Sequence, residues 1–427
     1  MQAIRKILPA ALILLLAGCA TVEQKANHAA TAASAEREPA LPFPEPPPLD
    51  RELDEDLIYS YLVGEIGARR GELRLAQSHY QHAAILARDA YAAERATRIA
   101  LHLRDYPSGL ASVRKWVELA PNDLTARQLA AVLFLRDDNF DAAGEQLDAL
   151  VQIAEARGLD GFLQAASALS VERDQAGAER LLVALHERHP DDIRSLYAVA
   201  VLETAHRRFD IAEGRLRAVI DDSPDWEQPR VLLARVLVAQ DRSDEAVAFL
   251  GKSVAAQPDS VPLRTSYSRL LVDAGDYPGA LRQFKALHRL TPDDQEITFG
   301  YAMLATQQES WDEARNLWQE LRNTDDRRDE ATYYLAQIEE QAGNDDLAIG
   351  LYRSVSGREL KVDAVMRMAQ IYARTGRLDE ARNALQQARI ANPERAADLY
   401  IAETQVVQNH GGRDEALALY RTAIEAY

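Results

Sequence analysis

Phe209-Asp210-Ile211-Ala212, Ser243-Asp244-Glu245-Ala246, Tyr277-Pro278-Gly279-Ala280, Trp311-Asp312-Glu313-Ala314 and Asp345-Asp346-Leu347-Ala348 are five versions of one phrase, and their closing alanines stand 34 residues apart each time. Each phrase opens a new apolar run at helical spacing, so the chain reads as a repeat before it reads as anything else. The frame continues upstream through Ala178, Ala143, Gly109 and Ala76 and downstream through Ala381 and Ala416. That makes eleven anchors, spread over ten intervals that each lie within one residue of 34.

Other positions keep the same time. Twelve residues before each anchor stands a small side chain: Gly64, Thr97, Ala131, Ala166, Ala200, Ala234, Ser268, Ala302, Ala336, Ala369 or Thr404. Two helices must approach closely there. Four residues after each anchor, one turn along the same face, stands Tyr80, Val113, Leu147, Leu182, Leu216, Leu250, Phe284, Trp318, Tyr352, Leu385 or Tyr420, the bulk that fills the space between helices. Pro121, Pro190, Pro224, Pro258, Pro292 and Pro393 fall twelve after an anchor, where a proline ends a helix. Gly71, Gly275, Gly343, Gly376 and Gly411 fall five before one, as suits the left-handed residue closing a helix.

Each unit is therefore helix, short turn, helix, and a proline-marked loop. The pattern resembles the tetratricopeptide repeat, matching from Leu57 to Tyr427 except for the consensus tryptophan near the start of the first helix, where Phe162, Leu196 or Tyr400 stands instead. The resemblance implies an all-α helix-turn-helix solenoid of about eleven repeats, wound as a right-handed superhelix.

Residues 1–18 carry Arg5 and Lys6 and then an apolar run from Ile7 to Ala17 too short to span a bilayer, which reads as a secretory signal. The run closes on Leu16-Ala17-Gly18-Cys19, which resembles a bacterial lipobox; Cys19 is the sole cysteine. That resemblance implies acylation at Cys19 and, with Ala20 following, sorting to the outer membrane. Multiple acyl chains, at about 0.8 kcal/mol per buried CH₂, hold a protein there stably. Residues 19–56 are rich in Ala, Glu and Pro and read as a tether, spanning roughly 30 Å as a coil and about 110 Å if extended. The array then occupies 57–427.

Charge and motifs narrow the function. The formal charge of -18 becomes -20 once Arg5 and Lys6 leave with the signal, which argues against nucleic acid or anionic headgroups as the main partner. Gly251-Lys252-Ser253 resembles the end of a phosphate loop, but Ala246 replaces the required glycine and the frame puts the triplet inside a helix. His186 and His189 lack the one-turn separation of a zinc-protease motif, and His79 and His82 are likewise three apart. No metal site, cofactor or catalytic constellation is read from the sequence, and no enzyme.

Binding remains. In tetratricopeptide repeats the first helix of each unit lines a concave groove, and the resemblance places residues fifteen and eleven before each anchor in it. The rule selects Leu163, Tyr197, Val201, Val231, Phe299, Met303 and Tyr333, with Arg235 and Arg269. A partly apolar lining fits a protein or peptide partner, and Arg235 and Arg269, one repeat apart, are read as neighbours able to hold a carboxylate. The opening units around Leu57–Ile66 and Ala93–Ala100 resemble the outer-membrane lipoproteins that act as adaptors of a periplasmic carboxyl-terminal processing protease and present cell-wall hydrolases to it. A scaffold or pilotin-like factor of an envelope machine for polysaccharide export, pilus assembly or secretion is the other reading. Finally, the sequence stops at Tyr427, one residue before the next expected proline, with Leu417, Tyr420 and Ile424 at helical spacing. This raises the expectation of an uncapped, self-associating last repeat.

Overall fold

The computed structural model describes residues 55–410 and 412–426. Within them the chain is all helix, with no strand among the described residues. Twenty-two α-helices form eleven successive hairpins. In chain order they are α1 Glu55–Arg70 and α2 Leu73–Leu86, α3 Ala90–Leu103 and α4 Tyr106–Leu119, α5 Leu124–Arg136 and α6 Phe140–Glu155, α7 Gly161–Leu169 and α8 Gln175–Arg188. There follow α9 Ile193–Ala205 and α10 Phe209–Asp222, α11 Glu227–Ala239 and α12 Ser243–Ala256, α13 Val261–Asp273 and α14 Tyr277–Leu290, α15 Gln295–Gln307 and α16 Trp311–Arg322. The last three hairpins pair α17 Arg328–Gln341 with α18 Asp345–Ser354, α19 Arg358–Arg374 with α20 Leu378–Ala391, and α21 Ala396–His410 with α22 Arg413–Ala426. None is long and apolar enough to cross a membrane. The array divides into two compact units, one ending at Leu263 and the other beginning at Arg264.

The repeat frame explains why the hairpins close. All eleven anchors, on the second helices, are buried, and so are all eleven small residues on the first helices. The bulky residues one turn past the anchors are buried in the first ten hairpins, while Tyr420 in α22 is 43% exposed. Each of the six phase-locked prolines stands two residues past the end of a second helix. Two residues past Pro121, Pro190 and Pro292 come Asp123, Asp192 and Asp294, whose carboxylates accept the first backbone N–H groups of α5, α9 and α15. The phrase thus encodes the end of one helix and the cap of the next.

In nine of the hairpins the residue five before the anchor is left-handed. Gly71, Gly275, Gly343 and Gly376 serve there, as the sequence suggests, but Arg104, Asp138, Arg207, Asp241 and Glu309 adopt the same positive φ in the equivalent places. In both cases the next N–H reaches back five residues, as from Arg208 to the Glu203 carbonyl at 2.7 Å and from Asp276 to Leu271 at 2.8 Å. Hairpin closure imposes the conformation whatever the residue.

The fourth hairpin departs from this pattern. Its interval, Ala143 to Ala178, is 35 residues, and α7 runs only from Gly161 to Leu169. The unwound turn after it drops Glu172 into the array, where it accepts two hydrogen bonds from the Arg136 guanidinium at 2.9 and 2.6 Å. Arg136 also lies over the Tyr106 ring, 4.8 Å from its centroid. The extra residue lies earlier, between Ala143 and Ala166, where α6 runs on to Glu155 and Gly158 takes φ +72° before α7 begins.

Candidate partner-binding face

The first helices of successive hairpins adjoin within each unit, α7 against α9 and α9 against α11 in the first, α17 against α19 and α19 against α21 in the second. Residues fifteen and eleven before the anchors are one turn apart on each of these helices and so share a face.

In the first unit that face is partly apolar. Leu163 on α7, Val201 on α9 and Val231 on α11 are half-buried, and Arg235 on α11 is exposed. Tyr197 is not available in the same way. It is buried, because Trp226 from the following loop lies edge-on against it with ring centroids 4.7 Å apart. Its role is to pack α9 against the chain entering α11.

In the second unit the assignment of lining residues needs more correction. Phe299 and Met303 on α15 are core, Met303 being 0% exposed. Phe299 stands edge-on to Trp318 at 5.3 Å, with the Arg327 guanidinium 4.6 Å from its centroid. The cause is the closeness of α14 and α15. Gly300 leaves the space in which a Cβ would stand 2.6 Å from the Phe284 ring, and every residue from Ile297 to Thr306 is buried. A helix covered on all sides lines no groove. Tyr333 on α17 is half-buried, edge-on to Tyr352 at 5.6 Å.

Arg235 belongs to the first unit and Arg269 to the second. Arg269 is half-buried beside Asp273 on its own helix; burial pushes the Asp273 carboxyl above its ordinary value while Arg269 draws it down. Arg269 thus stands within electrostatic reach of a carboxylate on its own helix.

The motifs weighed for chemistry fall in ordinary places. Gly251, Lys252 and Ser253 lie within α12. His186 Nδ1 bonds Ser195 Oγ at 2.6 Å while His189 Nε2 bonds Asp148 at 3.1 Å, so the two imidazoles serve different partners. His79 lies edge-on to Tyr59 at 5.5 Å. Cys19 and the residues around it lie outside the described residues.

Selection by apolar and arginine lining passes over three residues that the structure leaves open: Gln337 on α17 is half-buried, and Gln370 on α19 and Gln405 on α21 are exposed. All three stand eleven before an anchor. The recurrence of one residue type at one frame position in three consecutive units was the signal available in the sequence.

Comparison with known proteins agrees with this geometry. Two family models described as tetratricopeptide repeat match residues 271–338 and 363–394. Over those residues the chain carries tetratricopeptide repeats. It is 28% identical over 377 residues to the TPR repeat-containing protein PA4667 of Pseudomonas aeruginosa, a match covering 87% of this chain and 63% of that protein. The chain thus spans a little under two thirds of that relative's length. Among solved structures, yeast Tom70 is similar with 15% identity and a TM-score of 0.31, covering 88% of this chain and 92% of that one. The MamA protein is similar with 18% identity and a TM-score of 0.35, covering 39% and 92%. Scores of this size carry nothing over about curvature or ligand. Tetratricopeptide repeats are protein-interaction modules, so the matched repeats imply protein–protein contact.

Proposed function

We propose that this scaffold is held at the outer membrane by acyl chains on Cys19 and gathers periplasmic proteins, as the adaptor of a carboxyl-terminal processing protease and its cell-wall hydrolase substrates. The observation that carries the binding part is the partly apolar inner face, where Val201 and Val231 are half-buried and Arg235 is exposed, although Ala198, Val199 and Leu202 on α9 and Leu232, Leu233, Val236 and Leu237 on α11 are buried. Apolar surface left open beside a well-packed core serves a partner. The anchor rests on Leu16-Ala17-Gly18-Cys19 behind a short apolar run, and the protease rests on the likeness of the opening units to such adaptors.

Affinity purification of the full-length chain from its own envelope, read by mass spectrometry, tests the proposal. Recovery of a processing protease together with a peptidoglycan hydrolase is the expected result. Recovery of export, pilus or secretion subunits instead makes the chain an assembly factor of an envelope machine, and hydrolytic activity in the purified chain overturns the scaffold reading altogether.

A further inference from the structure

In this array a first helix buries one face under the second helix of the hairpin before it. Gly161, seventeen before its anchor, leaves the space in which a Cβ would stand 2.6 Å from the Val151 backbone of α6, and Gly300, fourteen before its anchor, faces Phe284 of α14 in the same way. The residue seventeen before the anchor is buried in all ten first helices after α1, from Ala92 in α3 to Leu399 in α21, and the residue ten before it, two turns further along, is exposed in none of them.

On α1 the same face is open. Tyr59, Leu62 and Ile66 hold the positions seventeen, fourteen and ten before Ala76 and are 60, 55 and 46% exposed, with Ile58 beside them at 38%. The four lie within about 100° of arc. Glu55 and Arg69, both exposed, stand at the two ends of the stripe, and Glu65 on its edge pairs with Arg95 at 3.1 Å. The face is shaped to receive a helix, and its bulky residues call for small ones opposite.

Residues 21–38 lie outside the described residues, and their sequence supplies such a helix. Thr21 with Gln24 three residues on is a capping box, no glycine or proline interrupts Val22 to Glu38, six of those seventeen residues are alanine, and Pro39 ends the run. At helical spacing Val22, Ala26, Ala29, Ala30 and Ala33 share one face, also about 100° wide, with Arg37 at its end and Glu23 at its edge. A single helix of this length is marginal in water and gains its stability from a surface to pack on.

Laid antiparallel, as neighbouring helices with short connections lie, the two stripes match along their length. Ala33 meets Tyr59, Ala30 meets Leu62 and Ala26 meets Ile66, while Arg37 comes to Glu55 and Glu23 to Arg69. The sixteen residues from Pro39 to Asp54 have only the roughly 8–10 Å between packed axes to cross. A second copy would set Tyr59, Leu62 and Ile66 against themselves, bulk on bulk, and lacks the roughly millimolar effective concentration of a segment on the same chain. We propose that residues 22–38 form a helix that docks on α1, in the place a preceding second helix would take, and caps the array. The docking does not depend on which proteins the scaffold gathers. With the proposed acyl anchor, only Ala20 and Thr21 then separate Cys19 from folded structure, about 10 Å of chain, which holds the first hairpin close to the bilayer.

The test uses the full mature chain with Cys19→Ser, so that introduced cysteines are the only thiols. Under mild oxidation Leu62→Cys with Ala30→Cys, and Ile66→Cys with Ala26→Cys, should form intramolecular disulfides at least tenfold faster than Leu62→Cys with His28→Cys or with Thr31→Cys, whose side chains point away on the docked helix. Without oxidant, Ala30→Glu should raise the rate of maleimide labelling at Leu62→Cys at least tenfold, while hydrogen exchange from α3 onward is unchanged. Equal disulfide rates at facing and opposite positions, disulfide-linked dimers in place of intramolecular bonds, or labelling indifferent to Ala30→Glu overturns the proposal.

Discussion

The Trp318 indole lies flat on the Tyr334 ring, with centroids 4.5 Å apart and 17° between their planes, and its Nε1 donates to Thr306 Oγ1 at 2.9 Å. One side chain thus ties three helices, α15, α16 and α17, from two successive hairpins. Because each repeat packs only on its neighbours, such a residue carries the coupling between units as well as the stability of its own. Trp318→Ala should cost about 3–5 kcal/mol locally. Hydrogen exchange should show protection lost over 295–341 while α1 to α10 keep theirs. Uniform loss along the whole chain would mean that coupling is not between nearest neighbours.

Glu309 holds φ +56° in the turn before Ala314, where Gly343 holds +79° in the next hairpin. An L residue there carries a steric penalty of about 1–2 kcal/mol, partly offset by the greater freedom glycine has in the unfolded chain. Glu309→Gly should therefore stabilise the second unit by about 0.5–1 kcal/mol, and Gly343→Ala should destabilise it by a similar amount. Urea midpoints of the two variants moving in the same direction would refute the account.

These turns show what the sequence reveals and what it conceals. Anchors, small partners and bulky residues were legible because close packing of helices admits only certain sizes at fixed intervals, and Pro121 or Pro292 because proline cannot sit inside a helix. The left-handed turns at Arg104 or Glu309 were not, since the backbone there obeys hairpin closure and no glycine marks it. The burial of Phe299 and Met303 was hidden for a different reason. Whether a frame position faces a groove depends on how near the neighbouring helices come, and that is set by Gly300 against Phe284 and by Trp318 on the next helix. The extra residue of the fourth repeat was legible as lying between Ala143 and Ala166, but the early end of α7 and the burial of Glu172 against Arg136 belong to the tertiary structure.

Asp192 caps α9 and receives the Arg194 guanidinium at 2.6 Å, and Arg194 holds its carboxyl below the ordinary value. A carboxyl held low in the fold adds stability that is fully present above its unfolded value of about 3.9 and is lost as pH falls through the lower folded value. The pair is partly exposed, so solvent screening limits its worth to about 0.5 kcal/mol. Asp192→Asn keeps a capping oxygen and removes the charge. Its deficit in urea stability should be visible at about pH 7 and vanish near pH 2; a deficit that persists in acid would trace to the cap instead.

Replacing Cys19 with Ser tests the anchor apart from the fold. The hairpins begin at Glu55 and close on their own anchors, so the variant should keep its helicity and unfolding midpoint while moving from the membrane pellet to the soluble periplasmic fraction. Retention in the pellet would sink the acyl anchor.

The inner face makes its own division between core and binding residues. Met303 is fully buried, whereas Val231 is half-buried and Arg235 exposed, although all three follow from one positional rule. Met303→Ser places a hydroxyl in an apolar site and leaves a void, at a cost of about 2–5 kcal/mol, so it should lower helicity or the unfolding midpoint before it touches any partner. Val231→Ser with Arg235→Glu changes surface and sign of charge, should alter stability by less than about 1 kcal/mol, and should weaken capture of envelope partners at unchanged helicity. Circular dichroism and the same affinity purification read both variants. If the surface pair leaves capture intact, partners bind elsewhere on the array; if the surface pair unfolds the second-to-sixth hairpins as Met303→Ser unfolds its own, α11 is core throughout and the inner face of the first unit is closed.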